Sequence, residues 1–185
     1  REEYNQQIKN YAENLLKSNW ENIKNYPEAI THHHNYVGGI LQHTMEMLYG
    51  FSCLYEFYKN LNVLDIMVGI LCHDAFKFVE YVVNPETGNI SYSEQAKTIY
   101  NGGHIFLGTK AAFDAGLYNI SHIIASHHKE PEWGAIVTPQ IPEAEAAHFI
   151  DLLSANFGKK DVNELGENIS ILEMRDKILN VLNQI

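Results

Sequence analysis

The sequence is poor in the features that would place its 185 residues in a specialised class. It has two cysteines, Cys53 and Cys72. Two are too few for a disulfide framework, and both fall in apolar stretches of helical spacing, so reduced, buried thiols are expected. No apolar run approaches the roughly 18–20 residues that a membrane span needs. There is no amino-terminal signal pattern, no internal repeat and no low-complexity tract. Basic residues are in deficit: 13 Lys and Arg face 23 Asp and Glu, giving a net charge of −10. A nucleic-acid coat protein works by neutralising phosphates and is normally basic, so that class is not expected. With 45% apolar, 19% charged and 11% aromatic residues, the composition suits a packed soluble domain and not a disordered chain. A cytoplasmic location without a membrane partner is the expectation. Homo-oligomerisation is the one protein partnership that this composition leaves open.

Hydrophobic periodicity predicts an all-α fold. Tyr4, Ile8, Tyr11, Leu15 and Trp20–Ile23 mark one face of a helix over residues 4–25, which Pro27 ends. The same pattern recurs over 38–58, and 63–80 is apolar all round, as in a central buried helix. The period then changes. Tyr81-Val82-Val83, a Pro85–Gly88 turn and Ile90-Ser91-Tyr92 read as a small β-hairpin near residues 81–92. Helical spacing returns over 104–115, 118–128, 142–156 and 167–184. The expected division is an N-terminal helix over 1–28, a helical domain over 29–157, and a linker with a C-terminal helix over 158–185.

What the chain has in abundance is histidine, ten in all. In order, the candidate metal ligands are His43, His73-Asp74, His104, His127-His128 and Asp151, in groups 23 to 30 residues apart. That interval is about one helix plus a connection, so a bundle can bring the groups to one interior point. Imidazole nitrogen with carboxylate oxygen suits a divalent transition ion, and the set needs no cysteine, so a structural zinc finger is not the model. Adjacent helical residues point about 100° apart. His73 and Asp74 share a site only if the helix ends there. One carboxylate can bridge two ions ~3.5–4 Å apart, and Asp74 is assigned that role.

These residues carry a resemblance. The ordered set His43, His73-Asp74 and Asp151 resembles the signature of the HD-domain metal-dependent phosphohydrolases, and His104 with His127-His128 resembles their two-metal branch. The flanks narrow it: residues 33–44 (HHNYVGGILQHT), 103–105, 126–134 and 142–151 look like the HD domain of bacterial 3′–5′ exoribonucleases. The resemblance implies an HD-domain helical bundle and two divalent ions drawn from Mn, Fe, Co, Ni, Mg or Zn. The implied substrate is a phosphate ester, short RNA or a nucleotide. Departures are His73-Asp74-Ala75-Phe76-Lys77 where the family reads His-Asp-Ile-Gly-Lys, glycine at 39, and no OB-like domain in this sequence. Phe76 is expected to narrow the pocket.

The expected activity is phosphodiester hydrolysis from the 3′ end by a metal-activated hydroxide, with Asp74 and Lys77 as catalytic residues and the Lys77 ammonium reaching a substrate phosphate. The alternatives are a nucleotide monoesterase or a metal-keeping regulatory domain. His32, His33, His34, His122 and His148 are read as structural or exposed, with His33 or His34 at the site entrance as the lesser reading. Trp133 is read as a packed loop anchor, and Lys129 with Glu130 as a solvated surface pair.

Overall fold

A computed structural model describes residues 1–99, 103–158 and 171–183. Among these, eight helices run in the order α1 (Glu2–Asn25), α2 (Gly39–Leu54), α3 (Val63–Cys72), α4 (Glu94–Ile99), α5 (Gly103–Asp114), α6 (Tyr118–Ser126), α7 (Pro142–Phe157) and α8 (Ile171–Leu182). The antiparallel hairpin β1 (Tyr81–Val83) and β2 (Ile90–Tyr92) precedes α4, with Tyr81 opposite Tyr92. The all-α reading and the hairpin both hold. None of the helices is long and apolar enough to cross a membrane.

Three boundaries differ from the periodicity. The second helix stops at Leu54 and continues only as a 3-10 turn over Tyr55–Phe57. The third stops at Cys72; a turn over 73–76 and a 3-10 segment, Lys77–Glu80, replace its expected end. The short helix α4 was not expected, because six residues are too few to display a period. Residues 159–170 and 184, which include most of the expected linker and the ends of the last helix, lie outside the described residues. Cys72 is buried as expected, but Cys53 is exposed, because it lies on the outer side of α2.

Helix α3 is buried along nearly its whole length and separates two apolar clusters. One joins Ile8, Ala12, Leu15 and Ile23 of α1 to Val68 and Cys72 of α3 and Ile120 and Ile124 of α6. The other joins Met47 and Phe51 of α2 to Ile66 and Ile70 of α3, Ala147 and Ile150 of α7, and Ile178 and Val181 of α8. The first turns of α2 and α5, the ends of α3 and α6 and the middle of α7 carry the polar residues that meet beside this core.

The connection from α1 to α2 is clasped against that meeting point. The Glu28 amide donates to the His34 carbonyl (3.2 Å) and the Ile40 amide to that of Tyr26 (3.3 Å). Two glycines make the clasp. Gly38 caps α2 with φ +88°, a left-handed conformation that favours glycine. At Gly39 a Cβ would collide with the His34 carbonyl oxygen and stand 2.8 Å from the Glu28 nitrogen. Helix propensity alone would favour alanine at Gly39. Gly39→Ala is nonetheless expected to destabilise the fold by about 2–4 kcal/mol, measured by urea denaturation. An unchanged or raised midpoint would contradict the close approach.

Candidate metal centre

The early end of α3 decides the centre. Because the helix stops at Cys72, His73 and Asp74 leave it on a turn and point into the same space. Asp74 is buried, and its two oxygens face different partners. Oδ1 lies 3.0 Å from His104 Nε2 and 3.7 Å from His127 Nε2. Oδ2 lies 3.0 Å from His73 Nε2, 3.2 Å from Lys77 Nζ and 4.0 Å from His43 Nε2. His43 Nε2 is also 3.3 Å from His73 Nε2 and 3.1 Å from Asp151 Oδ1. His128 stands with His104 and His127, their donor atoms within 4.8 Å of one another. The seven residues picked out in the sequence therefore form two donor sets that meet at Asp74: His43, His73 and Asp151 on one side, and His104, His127 and His128 on the other.

A second layer fixes each imidazole. His73 Nδ1–H donates to the Ile70 carbonyl (2.6 Å), His127 Nδ1–H to that of Ile124 (2.8 Å) and His128 Nδ1–H to that of Trp133 (2.5 Å). His104 Nδ1–H donates to Glu80 Oε1 (2.7 Å). His43 Nδ1–H donates to Ser154 Oγ (2.9 Å), whose own proton goes to Glu46 Oε2 (2.9 Å). With Nδ1 occupied as a donor, the neutral ring has its lone pair on Nε2. Five Nε2 lone pairs are thereby set facing the two carboxylates, the arrangement seen where a carboxylate or carbonyl orients a metal-bound histidine.

The donors fit a divalent ion. His104 Nε2 and Asp74 Oδ1 are 3.0 Å apart, yet both are buried without a hydrogen-bond partner among the described residues, as is His127 Nε2. Orphaned buried acceptors are costly, and a shared cation satisfies them. Ion–ligand distances of ~2.0–2.2 Å put neighbouring donors ~3.0–3.6 Å apart, close to the separations above.

Charge follows the same geometry. Burial alone would raise the Asp74 carboxyl, but the charges of His73, Lys77 and His104 outweigh it and hold it well below the usual range. Asp151 is likewise lowered: burial would raise it, but the neighbouring His43, with His127 and His73, outweighs burial. Burial pushes His127 well down and His128 to about 4, so both are neutral and open to an ion. His73 and His104 are raised, burial being outweighed by Asp74.

The residues around the centre depart from expectation more than the ligand set does. Lys77 is not a free ammonium. It is buried in an ion pair with Glu28 and in another with Asp74, and although burial opposes its charge, Asp74 and Glu28 raise it well above its ordinary value. Phe76 packs in the apolar core against α5 and does not narrow the cleft. His34 is buried with Nε2–H on Glu46 (3.0 Å), and His33 lies half-buried in the cleft wall, its Nδ1 2.9 Å from that of His34. His148 is buried and donates to the His127 carbonyl (2.6 Å). His122 is partly exposed and accepts the Gln140 amide, and His32 is exposed at the cleft. Lys129 pairs with Glu145, not Glu130, and Trp133 is exposed at the cleft, not packed.

The HD-domain family model matches residues 40–156, a stretch that contains all seven of the donor residues above. This chain belongs to the HD-domain family. It is thereby a domain of the metal-dependent phosphohydrolase class. It is similar to the 3′-5′ exoribonuclease YhaM of Geobacillus sp. (strain WCH70), 31% identical over 187 residues that cover 92% of this chain and 56% of the relative. The protein of the same name from Bacillus pumilus is 30% identical over 168 residues, 85% of this chain and 51% of the relative. The chain thus spans about half the length of these relatives. No solved structure gives a significant match.

In this HD domain, sequence reasoning missed Glu28, Glu46, Glu80 and Ser154, which hold the ligands or Lys77. Isolated carboxylates among 23 acidic residues carry no spacing signal; only Pro27 beside Glu28 marked the turn that buries it.

Two outcomes are expected. Metal content by mass spectrometry should fall to about none in Asp74→Asn, whereas His104→Ala should keep the ion held by the other set; equal loss in both would contradict the division. Metal affinity should also rise with pH to a point above 6.5, the ordinary histidine value, because His73 and His104 are held above it by Asp74 and must give up protons to bind. Titration calorimetry in buffers of different ionisation enthalpy reads the released protons, and binding without release would contradict this.

Proposed function

We propose that this chain is the hydrolytic domain of a 3′–5′ exoribonuclease, releasing 5′-monophosphates from the 3′ end of short RNA or oligonucleotides. The observation that carries the reading is the pair of donor sets sharing one buried carboxylate. Two adjacent sites suit in-line displacement at phosphorus, where the attacking and leaving oxygens both need charge stabilisation. The similarity to YhaM supports RNA and the 3′ polarity.

His43, His73 and Asp151 would hold one ion and His104, His127 and His128 the other, with Asp74 serving both sets. Mixed nitrogen and oxygen donors favour Mn, Fe, Co, Ni or Zn over Mg. When bound, two such ions supply Lewis-acid polarisation of the phosphoryl group and acidify water toward neutral pH. The side chains position and insulate. Glu80, Ser154 and the Ile70, Ile124 and Trp133 carbonyls hold the imidazoles in one tautomer. Lys77 divides its charge between Glu28 and Asp74, so it positions the bridging carboxylate first and contributes to the phosphate only what remains.

The substrate enters a cleft of about 430 Å³ lined by Glu28, His33, Lys77, His104, His128 and Asp151, among others. Lys77 is the only lysine or arginine among its described lining residues. Few phosphates are neutralised there, so the dependence of log affinity on log salt should be shallow, about −0.7 per phosphate engaged.

A labelled oligoribonucleotide ladder with Mn²⁺ at two salt concentrations tests this. Stepwise shortening from the 3′ end to 5′-monophosphates is expected, reduced about 10³-fold or more in Asp74→Asn. Shortening from the 5′ end or internal cuts would overturn the exonuclease. Activity confined to mononucleotides would replace it with a nucleotidase.

A further inference from the structure

Two large aromatic side chains stand in the wall of the metal cleft without a structural task. Trp133 is 56% exposed and Tyr92 51% exposed, and both line the cleft that His104, His128 and Asp151 also line. Their backbones, in contrast, are tied down. The Trp133 amide donates to the Glu130 carbonyl (3.0 Å), and its carbonyl accepts His128 Nδ1–H (2.5 Å). Gly134, at φ +97°, closes the 3-10 turn Pro131–Trp133. The backbone that carries the indole is therefore anchored beside the metal donors. Tyr92 pairs in the hairpin with Tyr81, their ring centroids 5.8 Å apart, and Tyr81 is buried with its hydroxyl on the Glu28 carbonyl (3.3 Å). A half-exposed ring is thus mounted on a buried one.

Exposed apolar rings beside a polar site cost solvation free energy unless something covers them. The cleft also says what covers them. Its one described ammonium, Lys77, is engaged by Glu28 and Asp74. Phosphates beyond the reacting one find no side-chain cation among the described lining residues, and the chain as a whole carries −10. A substrate held here must draw its remaining affinity from uncharged contact. Nucleobases supply it, since every base presents a flat face to an aromatic ring.

We propose that Trp133 and Tyr92 form a nucleobase-binding subsite in which the unpaired 3′-terminal bases stack while the phosphate reaches the donors around Asp74. This rests on the exonuclease reading above. It makes the enzyme selective for unpaired ends, since bases stacked within a duplex have no free face, and tolerant of base identity.

The test compares wild type, Trp133→Ala, Trp133→Phe and Tyr92→Ala with Mn²⁺. The substrates are one oligoribonucleotide ending in a normal 3′ nucleotide and one whose last two positions are abasic ribose. Wild type should lose about 30- to 20,000-fold in kcat/KM on the doubly abasic end, mainly through KM, at ~1–3 kcal/mol for each stacked base. Trp133→Ala and Tyr92→Ala should each raise KM on the normal end about 5- to 150-fold, the range for one base, and Trp133→Phe should restore most of the loss. The abasic and aromatic losses should not add, so the alanine variants treat the two ends more nearly alike. Additive losses, equal effects on both substrates, or a wild type indifferent to the abasic end would overturn the subsite and leave the exonuclease intact. Absence of any 3′ shortening in wild type would instead remove the exonuclease reading on which the subsite depends.

Discussion

The structure turns on a carboxylate that should not be comfortable where it is. Asp74 is buried among imidazole nitrogens, and the hydrogen bonds behind those rings aim lone pairs, not protons, at its oxygens. Lone pairs facing lone pairs in a dry interior repel. Burying a charge without compensation is among the largest penalties a fold can carry. Lys77 offsets part of it on the Oδ2 side. On the Oδ1 side the nearest groups are His104 and His127, whose Nε2 atoms are themselves unpartnered. The balance is completed by a cation, and in its absence by protons on His73 and His104, which Asp74 draws above their ordinary affinity.

The fold is the means of meeting that demand. Three helices end or begin at the centre, α3 and α6 just before His73 and His127 and α5 just before His104, while α2 and α7 bring His43 and Asp151 from within their length. Terminating α3 at Cys72 frees two successive residues for one site; one more helical turn would send His73 and Asp74 about 100° apart. Because α3 is gripped by apolar clusters on both faces, its end is a rigid support. Gly38 and Gly39 bring the loop carrying Glu28, His33 and His34 close enough to close the cleft over it.

How much of this could be read in advance depended on the kind of signal. The convergence of the seven donor residues was legible because histidine and aspartate recur at helix-length intervals, and the buried face of each long helix because periodicity records burial directly. The end of α3 was legible only as a requirement of the chemistry, since no glycine or proline between Leu71 and Phe78 marks it. The hidden parts were relations between single residues: Glu28 beneath Lys77, Glu80 behind His104, Phe76 turned to the core. Each is set by a tertiary contact between positions 24 to 49 residues apart or more, and no local pattern encodes such a contact. Trp133 was misread for the same reason. An aromatic in a Pro- and Gly-bounded turn looks like an anchor until the turn is seen to be held by its backbone alone.

An acidic protein that handles an anionic substrate divides the work of recognition differently from a basic one. Where lysines line a groove, every phosphate contributes, and affinity grows with length. Here the surface repels the polyanion, the cleft's one described ammonium is engaged, and positive charge is concentrated where ions would sit against Asp74, Asp151 and their histidines. Attraction is then confined to the scissile phosphate, and the rest of a chain is tolerated only as far as uncharged contacts offset its repulsion. Such an arrangement favours an end over a middle. A terminus brings one phosphate to the ions with few neighbours to repel, whereas an internal site must bring charge in from both sides. If the proposed activity holds, the net charge, which at first argues against nucleic acid altogether, would itself favour exonucleolytic over internal cleavage.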